Sequence, residues 1–358
     1  LAPLLRHPPP PSVHALLLCA LYRLESREDA HTVVDQAVTA AGALQGGRCK
    51  GMVNGVLRNF LRRRADLLAG LPEAARFCHP AWWVDRLRRA YPEDWPAIVA
   101  AGNRPPPMAL RVNARRVGRE EYRRRLAEAG ISAAARGECG LLLEKPVPVE
   151  CLPGFFAGEV SVQDLGAQRA APLLRPEAGS RVLDACAAPG GKAAHLLEQC
   201  ADLRLVAQDI DPLRCRKIGD NLARLGLAAE AIRSADASRL AHDADGKAEI
   251  FDAILADVPC SASGVARRFP DTKWLRREED VMRFARAQAR ILASLWQSLR
   301  PGGKLLYATC SVFPEENQAQ IRRFLAKTGD AALSHEEQWL PDGEHDGFYY
   351  ALLQKRPG

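Results

Sequence analysis

Apolar residues recur at helical spacing through the first seventy positions. Residues 13–24 predict a short apolar helix, and Val33, Val34, Ala37, Val38 and Ala41 share one face of a second helix running from a cap at Asp29 through Leu44. A third helix is predicted over 49–61, so residues 1–72 read as a small helical bundle. Residues 71–102 give helical pieces carrying Trp82, Trp83 and Trp95; tryptophan in so small a linker predicts core more than exposed surface. After a proline-rich joint at 103–107 the period shortens. Strands are predicted at 108–113, 140–143 and 160–163 around a helix at 120–129, making 73–160 a linker plus a small α/β module.

From residue 161 strands and helices alternate. Strands are expected at 181–186, 204–210, 230–234, 251–258 and 304–308, with helices at 193–199, 212–225, 278–299 and 315–327, and a final strand at 347–354 closing the sheet. The strands are apolar on both faces, as in a parallel sheet covered by helices, so 161–358 is read as a doubly wound α/β domain.

The ends of these strands carry the chemistry. Asp184, Asp209, Asp236, Asp257 with Cys260, and the run Thr309-Cys310-Ser311 all fall at or just beyond carboxyl ends, where open α/β sheets bind ligands. The first loop, Cys186-Ala187-Ala188-Pro189-Gly190-Gly191-Lys192, is built of small side chains and leads into a helix, so a ligand can approach its backbone N–H groups. Its spacing is neither the dinucleotide fingerprint nor the phosphate loop, so a pyrophosphate is not the obvious ligand. Asp209 lies 18 positions after Gly191, near the spacing at which an acid meets a ribose, which predicts a nucleoside in the ligand. Asp211, directly before Pro212, fits a helix cap better. A cation at a helix start is unfavourable, so Lys192 should have a partner unless it is an ordinary helix-start lysine.

Composition narrows the partners. The 358 residues carry a net charge of +7, which favours a polyanion. Ten cysteines without Cys-x-x-Cys pairs predict reduced thiols and a cytoplasmic protein; no ligand cluster points to a metal, and no apolar run suits a membrane span. The chain begins at Leu1 rather than Met, so its start is expected to be missing or processed. Three basic stretches suit phosphate contacts. Six basic residues and no acid occur between Arg48 and Arg64, and eight arginines against two glutamates between Arg104 and Arg125. The third, Arg267, Arg268, Lys273, Trp274, Arg276 and Arg277, interleaves cations with an aromatic beside Cys260, which suits holding an RNA strand with one base turned into a pocket.

DACAAPGGK at 184–192, DVPCSASG at 257–264, RRFPDTKWLR at 267–276 and YATCSVFPEEN at 307–317 resemble the motif set of the RNA cytosine-5 methyltransferase family, in the branch that modifies bacterial small-subunit ribosomal RNA. The resemblance spans nearly the whole chain. It implies a Rossmann-like class I methyltransferase domain with a seven-stranded, parallel-rich sheet, an RNA-recognition-like α/β module before it, and an N-terminal helical region similar to the antitermination factor NusB but shorter. It implies S-adenosyl-L-methionine as cofactor, held by Cys186 to Lys192, Asp209, Asp236 and Asp257, and small-subunit (16S) ribosomal RNA as substrate for a monomer. Cys310 is implied as the nucleophile, Cys260 as the residue of product release, and Asp257 as a contact to the cytosine. DNA cytosine-5 methyltransferases attack from a Pro-Cys cysteine, so Cys260 as nucleophile stays open, as does the reading of either thiol as a small buried hydrophobe. Val258 stands where the family commonly has Ala, and Ala262-Ser263 replaces a more glycine-like pair. A nicotinamide-dependent dehydrogenase would use the glycine loop and Asp209 but leaves both cysteine motifs unexplained. A non-catalytic RNA-binding protein would have no need of Cys260, Cys310 and Asp257.

Overall fold

A computed structural model of the chain describes residues 1–26, 28–239 and 248–357. The chain divides into two compact units, Leu1–Arg76 and Phe77–Gly358.

The first unit packs helices Pro11–Glu25, Ala30–Ala43 and Lys50–Ala69 around Val13, Leu17, Val33, Ala37, Val53, Leu57 and Phe60. Asp29 caps the second helix by accepting from the Thr32 amide at 2.7 Å. The third helix runs on to Ala69 instead of ending near Leu61. Its apolar stripe fades there, but arginine and leucine have good helix propensity, and Arg64 pairs with Glu25 at 2.8 Å.

The second unit holds two sheets. One has four strands, β1 (Ala109–Val112), β2 (Ala133–Arg136), β3 (Gly140–Leu143) and β4 (Val160–Val162), in the order β2-β3-β1-β4, antiparallel throughout. Helix Arg119–Glu128 presses Tyr122 and Leu126 into its core. The alanines of β2 give no strand signal, which is why that strand is absent from the sequence reading.

The other sheet has seven strands: β5 (Arg181–Asp184), β6 (Arg204–Asp209), β7 (Ala231–Ser234), β8 (Phe251–Asp257), β9 (Leu299–Thr309), β10 (Ala331–Trp339) and β11 (Phe348–Lys355). Their order is β10-β11-β9-β8-β5-β6-β7, with β5 to β9 parallel where they pair and β11 antiparallel to both neighbours. The chain leaves β5 toward β6 and β7 and returns on the other side to β8, so the switch point lies between β5 and β8. Apolar clusters cover both faces. The final strand, expected to close the sheet, lies inside it between β9 and β10. The edge on that side is β10, whose exposed Ser-His-Glu run carries the charge that protects an edge strand and hides its strand character in the sequence.

Trp83 is buried with its ring 5.1 Å from Phe313, in a core shared with Leu87, Val281 and Val312. The arginines of 104–125 are largely occupied. Arg111 is fully buried and grips Glu198 with two bonds of 2.8 Å, while Arg119, Arg123, Arg124 and Arg125 pair with Glu120, Glu121, Glu128 or Glu159. That stretch holds the small sheet to the large one and neutralises its own helix, rather than offering a row of free cations to phosphates.

Candidate active site at the ends of β5, β6, β8 and β9

Behind β5 the chain turns through 185–190 into helix Gly191–Gln199. Gly190 takes a left-handed φ of 98°, and a Cβ there would meet Ile218 at 3.2 Å, so both backbone and space require glycine. Beneath this turn Asp184 is fully buried, and both its carboxylate oxygens lack a hydrogen-bond partner among the described residues. Burial, and then the charge of Asp257, raise its pKa to about 7.

At the end of β6 Asp209 is buried and accepts from the Ala188 amide at 3.3 Å, tying the turn to the second strand. Asp211 caps the following helix, as its place before Pro212 predicts, by accepting from the Leu213 amide at 2.8 Å. Beyond β7, Asp236 accepts from the Ser238 amide and hydroxyl at 2.9 and 2.8 Å, and these bonds lower its pKa. Cys186, Ala188, Asp209, Asp236, Asp257, Cys260 and Cys310 line one cavity of about 270 Å³, with Ile210, Pro259 and Ile291 among its apolar walls. Ala187, Pro189, Gly190, Gly191 and Lys192 form the turn and helix start behind it and do not line it. Lys192 has the partner its position calls for, and it is an acid: its ammonium donates to Asp257 at 2.6 Å. Burial opposes the lysine's charge, but Asp257 outweighs it and the pKa ends raised.

Strands β8 and β9 pair in parallel with Asp257 opposite Ala308, so the loops they deliver meet. Cys260 Sγ and Cys310 Sγ lie 3.4 Å apart as free thiols. The bond to Cys310 and its own burial push the Cys260 thiol well above its usual pKa, so it stays protonated, and either thiol can donate in the contact between them.

A buried carboxylate fixes this meeting. Glu316 accepts from the Ser261 amide at 2.8 Å, the Ser261 hydroxyl at 2.5 Å, the Ser311 hydroxyl at 2.6 Å and Gln288 Nε2 at 3.2 Å. It thereby joins the residue after Cys260 to the residue after Cys310. Asn317 accepts from the Thr309 hydroxyl at 2.6 Å and donates to the Ser311 carbonyl at 2.8 Å. These demands delay the helix expected at 315–327. It begins only at Gln318 and ends at Leu325, because Glu316 and Asn317 are turned inward and Asn317 has non-helical dihedrals. Sequence reasoning treated Glu315 and Glu316 as acids of a helical first turn; their place directly after the Cys310 motif is the one signal that could have marked them.

The basic stretch after Cys260 also differs from expectation. Arg267 is buried against Asp346 at 2.5 Å, and Arg268 binds Asp346 and, at 2.8 Å, Asp164. Lys273 is buried against Asn103 at 2.8 Å, and Arg276 donates to the Ser261 carbonyl at 3.2 Å. These cations secure the loop because carboxylates and carbonyls of the same unit reach them first. Among the described residues no cluster of three or more metal-ligating side chains occurs, and no helix is long and apolar enough to cross a membrane.

Comparison with known proteins gives the site its setting. Residues 171–354 match the model of the 16S rRNA methyltransferase RsmB/F family, 79–150 its ferredoxin-like domain, and 7–62 the NusB family. The order β2-β3-β1-β4 is the ferredoxin-like arrangement, which is what the RNA-recognition-like module proves to be. The chain is 47% identical to ribosomal RNA small subunit methyltransferase B of Pasteurella multocida, over 96% of this chain and 80% of that protein. The corresponding enzyme of Klebsiella pneumoniae is 46% identical, over 96% and 82%. A solved methyltransferase homolog from Pyrococcus horikoshii superposes with a TM-score of 0.65 at 26% identity, covering 77% of this chain and 99% of that one. The chain is thus an enzyme with a NusB region, a ferredoxin-like domain and a methyltransferase domain, and it belongs to the RsmB/F family of 16S rRNA methyltransferases.

Proposed function

We propose that the enzyme transfers the methyl group of S-adenosyl-L-methionine to carbon 5 of a cytosine in 16S ribosomal RNA, through a covalent bond between Cys310 and the base. The observation that carries this reading is the pair of thiols 3.4 Å apart on the wall of an acid-lined cavity. The cavity's donor set suits the cofactor. Asp209 and Asp236 offer carboxylates to a nucleoside, and Ile210 and Ile291 offer apolar walls. When bound, the cofactor supplies an electrophilic methyl group.

Carbon 5 of cytosine is a poor nucleophile until a thiolate adds to carbon 6. As the Cys310 Sγ–C6 bond forms, the C5–C6 electron pair moves to carbon 5, and the proton lost by the thiol is balanced by one gained at ring nitrogen N3. Asp257, held by Lys192, accepts from the base's polar edge and offsets the charge created at N3. After carbon 5 has bonded to the methyl group, its hydrogen leaves to solvent as a proton. The C5–C6 double bond re-forms as the Cys310 thiolate departs, and N3 gives up the proton it had gained, leaving neutral 5-methylcytosine. Cys260, protonated beside Cys310 Sγ, assists that departure by donating to the released thiolate. No step needs a metal.

The test is incubation with unmodified small-subunit ribosomal RNA and methyl-labelled cofactor, followed by digestion to nucleosides. Label in 5-methylcytidine is expected. Label in any other nucleoside, or none from folded enzyme, rejects the proposal.

A further inference from the structure

The stretch that follows Cys260 is built inside out. Its cations Arg267 and Lys273 are only 7% and 5% exposed, whereas Phe269, Trp274 and Leu275 are 57%, 59% and 70% exposed. Folding alone favours the opposite arrangement, and three large apolar side chains exposed within seven positions mark a surface that something else covers. The stretch is also fastened to the chemistry at both ends. The Gly264 amide donates to the Cys310 carbonyl at 2.9 Å, and Arg276 donates to the Ser261 carbonyl at 3.2 Å. From beneath, Lys273 grips Asn103 while Arg267 and Arg268 grip Asp346. The exposed side chains therefore stand on a base fixed relative to Cys260 and Cys310.

The charge beside them indicates what they meet. Arg277 precedes helix Glu278–Gln297, and Arg283, Arg286 and Arg290 lie along it at helical spacing, all exposed, with Arg283 also paired to Asp280 at 2.9 Å. The opposite face of that helix belongs to the site, since Gln288 donates to the Pro259 carbonyl at 3.0 Å and Ile291 lines the cavity. Exposed aromatics followed in the chain by a row of exposed arginines suit a single nucleic-acid strand, the rings taking bases and the guanidiniums taking phosphates.

We propose that Phe269, Trp274 and Leu275 form a stacking platform for the unpaired ribosomal RNA nucleotides that flank the target base, with Arg283, Arg286 and Arg290 tracking their phosphates. This rests on the methyl-transfer reading for the identity of the strand, but the platform is measurable by binding alone. Stacking is sequence-tolerant, so the platform holds the strand open beside the cavity without choosing the base.

The experiment uses the full chain, wild type and variants, in two assays. The first is methyl transfer to unmodified small-subunit ribosomal RNA; the second is binding of a short fluorescein-labelled single-stranded oligoribonucleotide across a salt series. Trp274→Ala should raise KM for RNA and the oligonucleotide Kd by roughly tenfold, with kcat at saturating RNA within about twofold. Trp274→Phe should restore both, and Trp274→Leu, which stays apolar but cannot stack, should be as weak as the alanine variant. Trp274→Ala should leave the salt slope unchanged, whereas the double change Arg286→Ala/Arg290→Ala should lower its magnitude by about 1.4. Unchanged S-adenosylhomocysteine binding by calorimetry establishes that each variant is folded. Wild-type affinity in Trp274→Leu, or an unaltered Kd in Phe269→Ala/Trp274→Ala, overturns the platform. So does a defect confined to assembled ribosomal particles, which points to a protein partner. If wild type binds RNA through these residues but transfers no methyl group, the methyl-transfer reading fails while the platform stands.

Discussion

The loops that carry Cys260 and Cys310 meet at 3.4 Å, yet they are built on opposite plans. The Cys310 loop, 309–317, is short and closed upon itself. Thr309, Ser311, Glu316 and Asn317 are buried and bonded to one another, and Val312 and Phe313 are fully buried. The Cys260 loop, 259–277, is long and runs outward, with its charges pinned beneath it and its aromatics in solvent. The first plan fixes one sulfur. The second links the other sulfur to the exposed aromatic surface proposed to meet RNA. Glu316 is the point at which the two plans are joined, so it makes the positions of the two thiols interdependent.

That contrast can be broken at several points. The largest effect is expected from Cys310→Ala, which should cost at least about 10³-fold in methyl transfer, as removal of a nucleophile does, while calorimetry shows cofactor-analogue binding intact. Next is Glu316→Ala. It leaves the Ser261 and Ser311 donors buried without an acceptor and should lower stability by about 3 kcal/mol in denaturant unfolding, with activity falling even in the fraction that stays folded. Glu316→Gln, which keeps one acceptor oxygen, should fall between that variant and wild type. If Glu316→Ala unfolds like wild type, the carboxylate does not clamp the loops.

A smaller effect concerns Asp184, whose carboxyl is shifted from 3.8 to about 7 by burial and by Asp257. A folded pKa above the unfolded one means that the native state holds the proton longer. Stability from this group is complete below about pH 4 and is lost as pH rises to about 7. Asp184→Asn should therefore flatten the profile of Tm against pH across that window; an unchanged slope removes Asp184 as its source. The smallest effect is at Ala262, held at φ 61° in the Cys260 loop. Glycine suits that conformation without a Cβ clash, so Ala262→Gly should raise stability by at most about 1 kcal/mol, whereas Ala262→Val should lower it, both read from the denaturant midpoint.

Much of this was legible in the sequence. The alternation from Arg181 to Thr309 yields strands and helices in their true order, because buried parallel strands read as apolar runs and Pro212 and Asp211 mark a helix start. The convergence of Cys260 and Cys310 follows from adjacent parallel strands. Placement of the polar residues was much less legible. Nothing local distinguishes Arg111, buried against Glu198, from Arg124 on an exposed helix, or Arg267 in a buried pair from Arg283 in an exposed one. Those outcomes depend on acids distant in sequence, such as Asp346. Glu316 looked like a helix acid because the helical pattern does continue from Gln318, one turn later than the acids suggested.

The most direct test of the division between the two sulfurs is a denaturing gel of enzyme incubated with unmodified small-subunit ribosomal RNA and S-adenosyl-L-methionine. The account predicts that Cys260→Ala accumulates a covalent RNA–protein adduct and that Cys310→Ala and Cys260→Ala/Cys310→Ala form none. An adduct in Cys310→Ala, absent from Cys260→Ala, would contradict it and make Cys260 the attacking residue.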